Sequence, residues 1–163
     1  VRKLTMMTAG IYAALPYFVF GASEPIGGWL ADRMASRGWN EARARKTVIT
    51  LAFLTGLMLV PAARVSAPGT AVILIIGGCL VGLATANMLV LLQSAAPRAE
   101  IGLWTGIYNF IGNIAGILSP LMTGFLIAHT GGSYTSAFVL ASALIALGPL
   151  AFWFIVLDPK TAD

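Results

Sequence analysis

The sequence predicts an all-α protein, a polytopic membrane helix bundle in which five helices cross the bilayer. Apolar residues make up 58% of the 163 residues and charged residues only 10%, so a soluble domain of this length would lack enough polar surface to cover itself. The charges are also clustered. The apolar runs between them reach the roughly 20 residues that a helix needs to cross about 30 Å of hydrocarbon. Such runs are far too long for the strands of a membrane barrel.

Hydropathy predicts where each helix crosses the membrane. The five spans are expected at about residues 8–31, 48–65, 70–94, 102–128 and 134–157. Segments 66–69 and 130–133 contain the Gly, Pro and Ser residues that are typical of turns. Segment 95–100 is a compact polar joint, and its Glu100 favours the N-terminus of the helix that follows. The remaining connection, residues 32–47, is longer and polar, and we expect it to be a cytoplasmic loop.

The segment from Gly27 to Lys46 fixes the predicted orientation. It holds five of the ten basic residues, namely Arg33, Arg37, Arg43, Arg45 and Lys46. Basic loops remain on the cytoplasmic side of a membrane. With this segment inside, seven basic residues lie inside and three outside, and the C-terminus is cytoplasmic. The net charge of +4 is explained by these loops, so no nucleic-acid partner is expected.

The fourth span carries a stripe of small and amide residues. Its members follow one another at steps of three or four and therefore share one helix face: Gly102, Gly106, Asn109, Asn113, Gly116, Pro120 and Gly124. Such a stripe faces lipid only at a cost, so we expect it to face other helices or a water-filled cavity. Asn109 and Asn113 either hydrogen-bond a polar substrate from the cavity wall or bond neighbouring helices, for about 0.6 kcal/mol each.

Four further residues are candidates for the same cavity. Glu24 is the only acid inside a predicted span, where an unpaired carboxylate costs roughly 3 kcal/mol, so it is either a proton relay or a structural acid held in an ion pair. Tyr12 and Tyr17 offer hydroxyl groups to a substrate, although packing is the commoner role of tyrosine in an apolar span. Asn87 lies seven residues before Ser94, and this shared face is a further, weaker cavity signal. The sequence holds no nucleotide-binding glycine loop, metal-ligand cluster or Ser/His/Asp set, so we expect no enzyme activity, cofactor or metal.

Two groups of residues resemble a known family. Gly28, Asp32, Arg33 and Arg37 have the spacing of the loop signature of the major facilitator superfamily, with Ala35 where that signature prefers Gly. The second group is similar to helices 8, 10 and 11 of the anion:cation symporter family within that superfamily, which includes hexuronate, glucarate, galactonate and phthalate permeases. It comprises Gly10, Leu15-Pro16-Tyr17, Gly27-Gly28, Ala96-Pro97, the stripe of the fourth span, Ser119 and Gly131.

The resemblance covers nearly the whole chain and implies that its spans are helices 8–12 of a twelve-helix fold. It also implies secondary active transport of a small organic anion, a sugar acid or an aromatic or dicarboxylic acid, by alternating access coupled to H+ or Na+. The setting would be a bacterial cytoplasmic (inner) membrane. The chain begins at Val1, and we expect at least one helix before it, together with the N-terminal half that holds the main carboxylate- and proton-binding residues. The alternatives are a facilitator for sugars or drugs, or a non-transporting membrane scaffold or subunit.

Overall fold

The computed structural model describes the backbone of residues 6–154 and the side chains of residues 14–154 except Pro68. The side chain of Tyr12 and the predicted end of the fifth span, residues 155–157, lie outside this part of the chain. Within it the residues form only helices and their connections, so the all-α prediction is confirmed. The α-helices are α1 (Met6–Ser36), α2 (Glu41–Gly56), α3 (Leu59–Arg64), α4 (Pro68–Gly78), α5 (Thr85–Ala95), α6 (Ile101–His129) and α7 (Thr135–Phe154).

Four stretches of the described residues are long and apolar enough to cross a membrane. They are Glu41–Arg64, Gly69–Ala95, Arg98–His129 and Thr135–Phe154. They correspond to the second to fifth predicted spans. The first predicted span lies on α1, which is 31 residues and therefore about 46 Å long. It is not among the four stretches found in the described residues.

The predicted loop of residues 32–47 is mostly helical. Helix α1 continues to Ser36 and α2 begins at Glu41, so only residues 37–40 connect them. Gly38 has a φ of 93°, a left-handed conformation that glycine adopts without strain at the end of a helix. The Asn40 side chain accepts a hydrogen bond of 3.1 Å from the backbone N–H of Arg43 and caps α2. The two helices therefore form a tight hairpin.

The span from Gly69 to Ala95 is not one regular α-helix. Its middle, Cys79–Ala84, is a 3-10 helix that packs closely against α1 and α2. Two glycines permit this approach. A Cβ on Gly27 would overlap the backbone of Leu83, and a Cβ on Gly82 would overlap the Ser23 hydroxyl and a carbonyl of α1. These glycines are therefore the close-packing small residues that membrane helices use in place of a hydrophobic driving force.

The buried core lies between α2, the 3-10 helix and α5. It consists of Ala42, Ile49, Ala52, Ala84 and Leu91. Helix α7 covers the outer side of α2 and α3, where Phe53 and Phe152 meet edge to face with ring centroids 6.3 Å apart. Helix α6 packs mainly against α5 and α7, and none of its residues is fully buried. Most of the surface of α6 is therefore open within the described part of the chain.

Candidate functional site

Helix α6 has three faces with different chemistry. The face that contacts α5 and α7 is half-buried and includes Ile101, Thr105, Tyr108, Thr123 and Leu126. A second face is exposed and carries large apolar side chains that suit lipid: Ile107, Ile111, Ile114, Leu118, Leu121 and Phe125. The stripe of small and amide residues lies between these two faces, about a quarter turn from the packed one at 100° per residue. The stripe is therefore a separate surface.

The stripe does not pack against the described helices. Each of its glycines (Gly102, Gly106, Gly116 and Gly124) has open space where a Cβ would lie, with nothing within 4 Å. Asn109 and Asn113 are exposed. Gly27 and Gly82 provide the contrast, because a Cβ on either one would strike the neighbouring helix. Close packing of helices in the described part of the chain is thus carried out by other glycines.

The two amides of the stripe lie one helical turn apart. The Asn113 Nδ2 group donates a hydrogen bond of 2.8 Å to the backbone carbonyl of Asn109. This bond steadies the Asn113 side chain and leaves its amide oxygen without a partner among the described residues. The Asn109 side chain makes no hydrogen bond with a described residue. Together they present both donors and acceptors at one level of α6.

Helix α1 contributes a second polar surface. Tyr17 is 80% exposed, and Glu24 lies two turns further along the same side of the helix. Glu24 is half-buried, and its carboxylate makes no hydrogen bond or ion pair with the described residues. It is close enough to the Tyr108 hydroxyl on α6 for a direct electrostatic interaction. Both roles expected for Glu24, proton relay and structural acid, therefore stay predictions.

Asn87 belongs to a different site from the one expected. It is 0% exposed, its side-chain oxygen accepts a hydrogen bond of 3.2 Å from Arg45 Nη1, and its amide nitrogen donates to the Leu83 carbonyl. Both ends of its amide are thus engaged inside the protein. In the described part of the chain Asn87 is therefore a structural partner of Arg45 and Leu83. Substrate contact by Asn87 stays a prediction.

Arg45 is the centre of this buried network. Its Nη2 group pairs with Asp32 at 2.9 Å and with Glu41 at 2.8 Å, while Nη1 bonds Asn87. The arginine side chain is only 10% exposed, whereas the two carboxylates are 66% and 64% exposed. One guanidinium group therefore links α1, α2 and α5 at the end of the bundle, as the fork of donors on arginine allows.

The four residues with the spacing of the loop signature differ in their contacts: two pack against or pair with other helices and two are exposed. Asp32 is held by Arg45, and Gly28 approaches Ala86 of α5, with 3.8 Å between the Ala86 Cβ and the position of a Gly28 Cβ. Arg33 and Arg37 point away from this contact and are exposed. Sequence reasoning missed the role of Arg45 because five basic residues occur within 14 positions. The spacing of four between Glu41 and Arg45, which favours an ion pair on a helix, was the available signal.

A groove of about 340 Å³ lies between α6 and α7, away from the stripe. It is lined by Ala115, Leu118, Ser119, Met122, Thr123, Leu126, Ala137, Leu140, Ala141 and Leu144. Its walls are almost wholly apolar and include neither Asn109 nor Asn113. A polar ligand needs several fixed hydrogen-bonding groups, so this groove is a poorer candidate than the stripe.

Apolar spans, a close-packed wall of helices and an open polar face on a long membrane helix define an integral membrane protein with a polar surface inside the bilayer. The comparison with protein families places the chain more narrowly. The family model described as Major Facilitator Superfamily matches residues 2–163, so the chain belongs to this family. The resemblance seen in the sequence motifs is confirmed.

Relatives include transporters of sugar acids and other anions. A D-galactonate transporter of Escherichia coli is 29% identical over 98% of this chain and 36% of its own length. The sodium-dependent phosphate transport protein 1 of Arabidopsis thaliana chloroplasts is 30% identical over 100% of this chain and 32% of its own. A probable galactarate/D-glucarate transporter of Escherichia coli K12 is 25% identical over 99% of this chain. The chain spans about a third of the length of these relatives.

Proposed function

We propose that this chain is part of a secondary transporter that moves a small organic anion, such as a sugar acid, across a bacterial cytoplasmic membrane by alternating access. The observation that carries the proposal is the open stripe on α6. Its amides and glycines are separate both from the packed face and from the large apolar face, so a water-filled cleft is the environment that fits it. The sugar-acid and anion transporters among the relatives support the same substrate class.

In this proposal Asn109 and Asn113 hold hydroxyl or carboxylate groups of the substrate from the cleft wall. An amide that donates to a carboxylate contributes about 1.5–3 kcal/mol, because hydrogen bonds to charged groups are the stronger ones. Tyr17, exposed on α1, offers a further hydroxyl, and Tyr12 belongs to the same proposed set. The basic residue that balances the substrate charge is expected in the remainder of the transporter, together with the second wall of the cleft.

The test is uptake of radiolabelled sugar acids by the full-length protein in proteoliposomes. Asn109→Ala should raise KM by about tenfold or more, which corresponds to the loss of one hydrogen bond to a charged group. Ser119→Ala removes a polar group from a different face of α6 and serves as the matched control, with an unchanged KM. An unchanged KM in Asn109→Ala would refute the proposed cleft, and no gradient-dependent uptake by the wild type would favour a scaffold.

We further propose that the coupling ion is a proton and that Glu24 carries it. A half-buried carboxylate without an ion pair is costly when charged inside a bilayer, and protonation removes that cost. The Tyr108 hydroxyl on α6 interacts electrostatically with Glu24. Binding and release of a proton at Glu24 would then accompany the transport cycle.

Glu24→Gln tests the coupling. Proton-driven uptake should be lost, while exchange of substrate between the two sides should persist, because exchange needs no net proton movement. Glu100→Gln is the matched control, since Glu100 is an exposed acid that bonds Trp104 Nε1 at 3.1 Å on its own helix. Wild-type proton-driven uptake in Glu24→Gln would end the relay hypothesis. Uptake driven by a sodium gradient alone would identify the other coupling ion.

A further inference from the structure

The turn between α1 and α2 carries three outward-facing arginines that the proposed transport mechanism does not use. Arg33, Arg37 and Arg43 are exposed, and we call them the interfacial arginines. Residues 29–46 hold five basic and two acidic side chains. Both acids are held by the buried Arg45. The guanidinium groups of the interfacial arginines make no ion pair with any described residue.

Two tryptophans flank these arginines. Trp29 is 58% exposed and Trp39 is 53% exposed. The guanidinium carbon of Arg33 lies 5.5 Å from the centroid of the Trp29 ring, within the range of a cation–π contact. Tryptophan is enriched where a membrane helix leaves the hydrocarbon, because its ring is apolar and its N–H is polar. The tryptophans therefore indicate that this turn lies at the level of the lipid headgroups.

The turn is also a defined structure. The backbone N–H of Trp39 donates to the carbonyl of Met34 at 3.3 Å, and that of Gly38 donates to the carbonyl of Ala35 at 3.0 Å, so these two carbonyls at the end of α1 are satisfied. Asn40 caps α2. The arginines thus lie on or beside one short, hydrogen-bonded turn between two helices, and this fixed backbone limits the entropy lost when they bind a common ligand.

We propose that the interfacial arginines, with Trp29 and Trp39, form a binding site for the phosphate of an anionic phospholipid headgroup. The guanidinium fork matches phosphate oxygens with two parallel hydrogen bonds. The net charge of residues 29–46 is +3, and the acids that could neutralise the arginines are already occupied by Arg45. Each basic residue near an anionic membrane surface contributes about fivefold to affinity.

The test measures binding of phosphatidylglycerol and phosphatidylcholine to the purified full-length protein in a mild detergent, by native mass spectrometry. Wild type should bind phosphatidylglycerol at least tenfold more tightly than phosphatidylcholine. Each single change, Arg33→Gln, Arg37→Gln or Arg43→Gln, should weaken phosphatidylglycerol binding about fivefold. The triple change should abolish the preference. Arg64→Gln combined with Arg98→Gln removes exposed charge elsewhere and should change the affinity less than twofold.

A second variant separates charge from folding. Replacing all three interfacial arginines with lysine keeps the charge but removes the guanidinium fork, so this variant should still prefer phosphatidylglycerol while binding it more weakly than the wild type, even if the glutamine triple does not fold. The proposal is overturned if wild type shows no preference for phosphatidylglycerol, as when an acidic segment of the same protein covers the turn. It is also overturned if the Arg64 and Arg98 control weakens binding as much as the triple. Because the readout is lipid binding, its result is independent of the transport assay.

Discussion

Replacement of Arg45 tests how the end of the bundle is held together. Arg45→Met keeps most of the side-chain volume and removes the guanidinium group from a site where it is 8% exposed. The Asn87 oxygen, itself fully buried, would lose its donor, which costs about 1–3 kcal/mol. The two ion pairs add little, about 0–1 kcal/mol each, because Asp32 and Glu41 are about two-thirds exposed and would be solvated. The expected loss in the free energy of unfolding is about 2–4 kcal/mol.

The measurement is SDS-induced unfolding of the full-length protein in mixed micelles, followed by tryptophan fluorescence. Arg43→Met is the matched control: it lies two residues earlier on α2, its side chain is exposed, and its loss should change stability by less than about 0.5 kcal/mol. Asp32→Asn and Glu41→Gln should each cost less than about 1 kcal/mol.

A double variant gives the sharper test. Combining Arg45→Met with Asn87→Leu removes the donor and the acceptor together, so the Asn87 oxygen is no longer stranded, although the Leu83 carbonyl loses its bond from the Asn87 amide nitrogen. The double variant should be more stable than Arg45→Met alone by about 1 kcal/mol. If the double variant is no more stable than Arg45→Met, the stranded amide is not the source of the cost. If Asp32→Asn is as damaging as Arg45→Met, the ion pair dominates and the reasoning from exposure is wrong.

Two further predictions concern packing. Gly82→Ala should destabilise the protein by about 1–3 kcal/mol, because the added Cβ meets the Ser23 hydroxyl and a backbone carbonyl. Gly116→Ala has open space around it and should be neutral or slightly stabilising. Thermal unfolding of both variants checks the contrast, and a larger loss for Gly116→Ala would mean that the stripe is packed in the full-length protein. Trp153→Phe should cost about 1 kcal/mol through loss of the 2.9 Å hydrogen bond from its indole to Thr50. Thr50→Val also removes the bond from its hydroxyl to the Lys46 carbonyl, so the double variant should cost less than the sum of the two single variants by about 1 kcal/mol in an unfolding measurement; full additivity would show that the indole bond contributes nothing.

The membrane helices could be predicted from the sequence because each one is a long apolar run, which the hydropathy along the chain reveals. The helix ends in the basic segment could not be predicted as well. Polarity suggested a loop over residues 32–47, yet α1 and α2 extend into it as far as Ser36 and Glu41. Helical backbone tolerates charged side chains where the helix leaves the bilayer, so the polar boundary marks the membrane surface and not the end of the helix.

The partners of polar residues were harder to predict than their positions. Asn87 and Asn109 are both amides in apolar spans, and the sequence does not distinguish the buried one from the exposed one. The difference is tertiary: Asn87 lies opposite Arg45 across two helices, while Asn109 has no described helix opposite it. The 3-10 segment at Cys79–Ala84 was likewise hidden, because its cause is the close approach of α1 at Gly82 and no local residue pattern predicts that contact.

The described helices divide into a rigid side and an open side, and this division supports the transport proposal. On the rigid side, glycines bring α1 against the 3-10 helix and Arg45 joins three helices at one end. On the open side, a Cβ on any of the four stripe glycines of α6 would meet no described residue within 4 Å, although glycine weakens a helix interior by about 1 kcal/mol relative to alanine. Four glycines that weaken a helix without packing in the described bundle need another reason for their small size. The proposed cleft, which has to admit a substrate beside Asn109, would supply that reason, because a larger side chain at these positions would occupy the space.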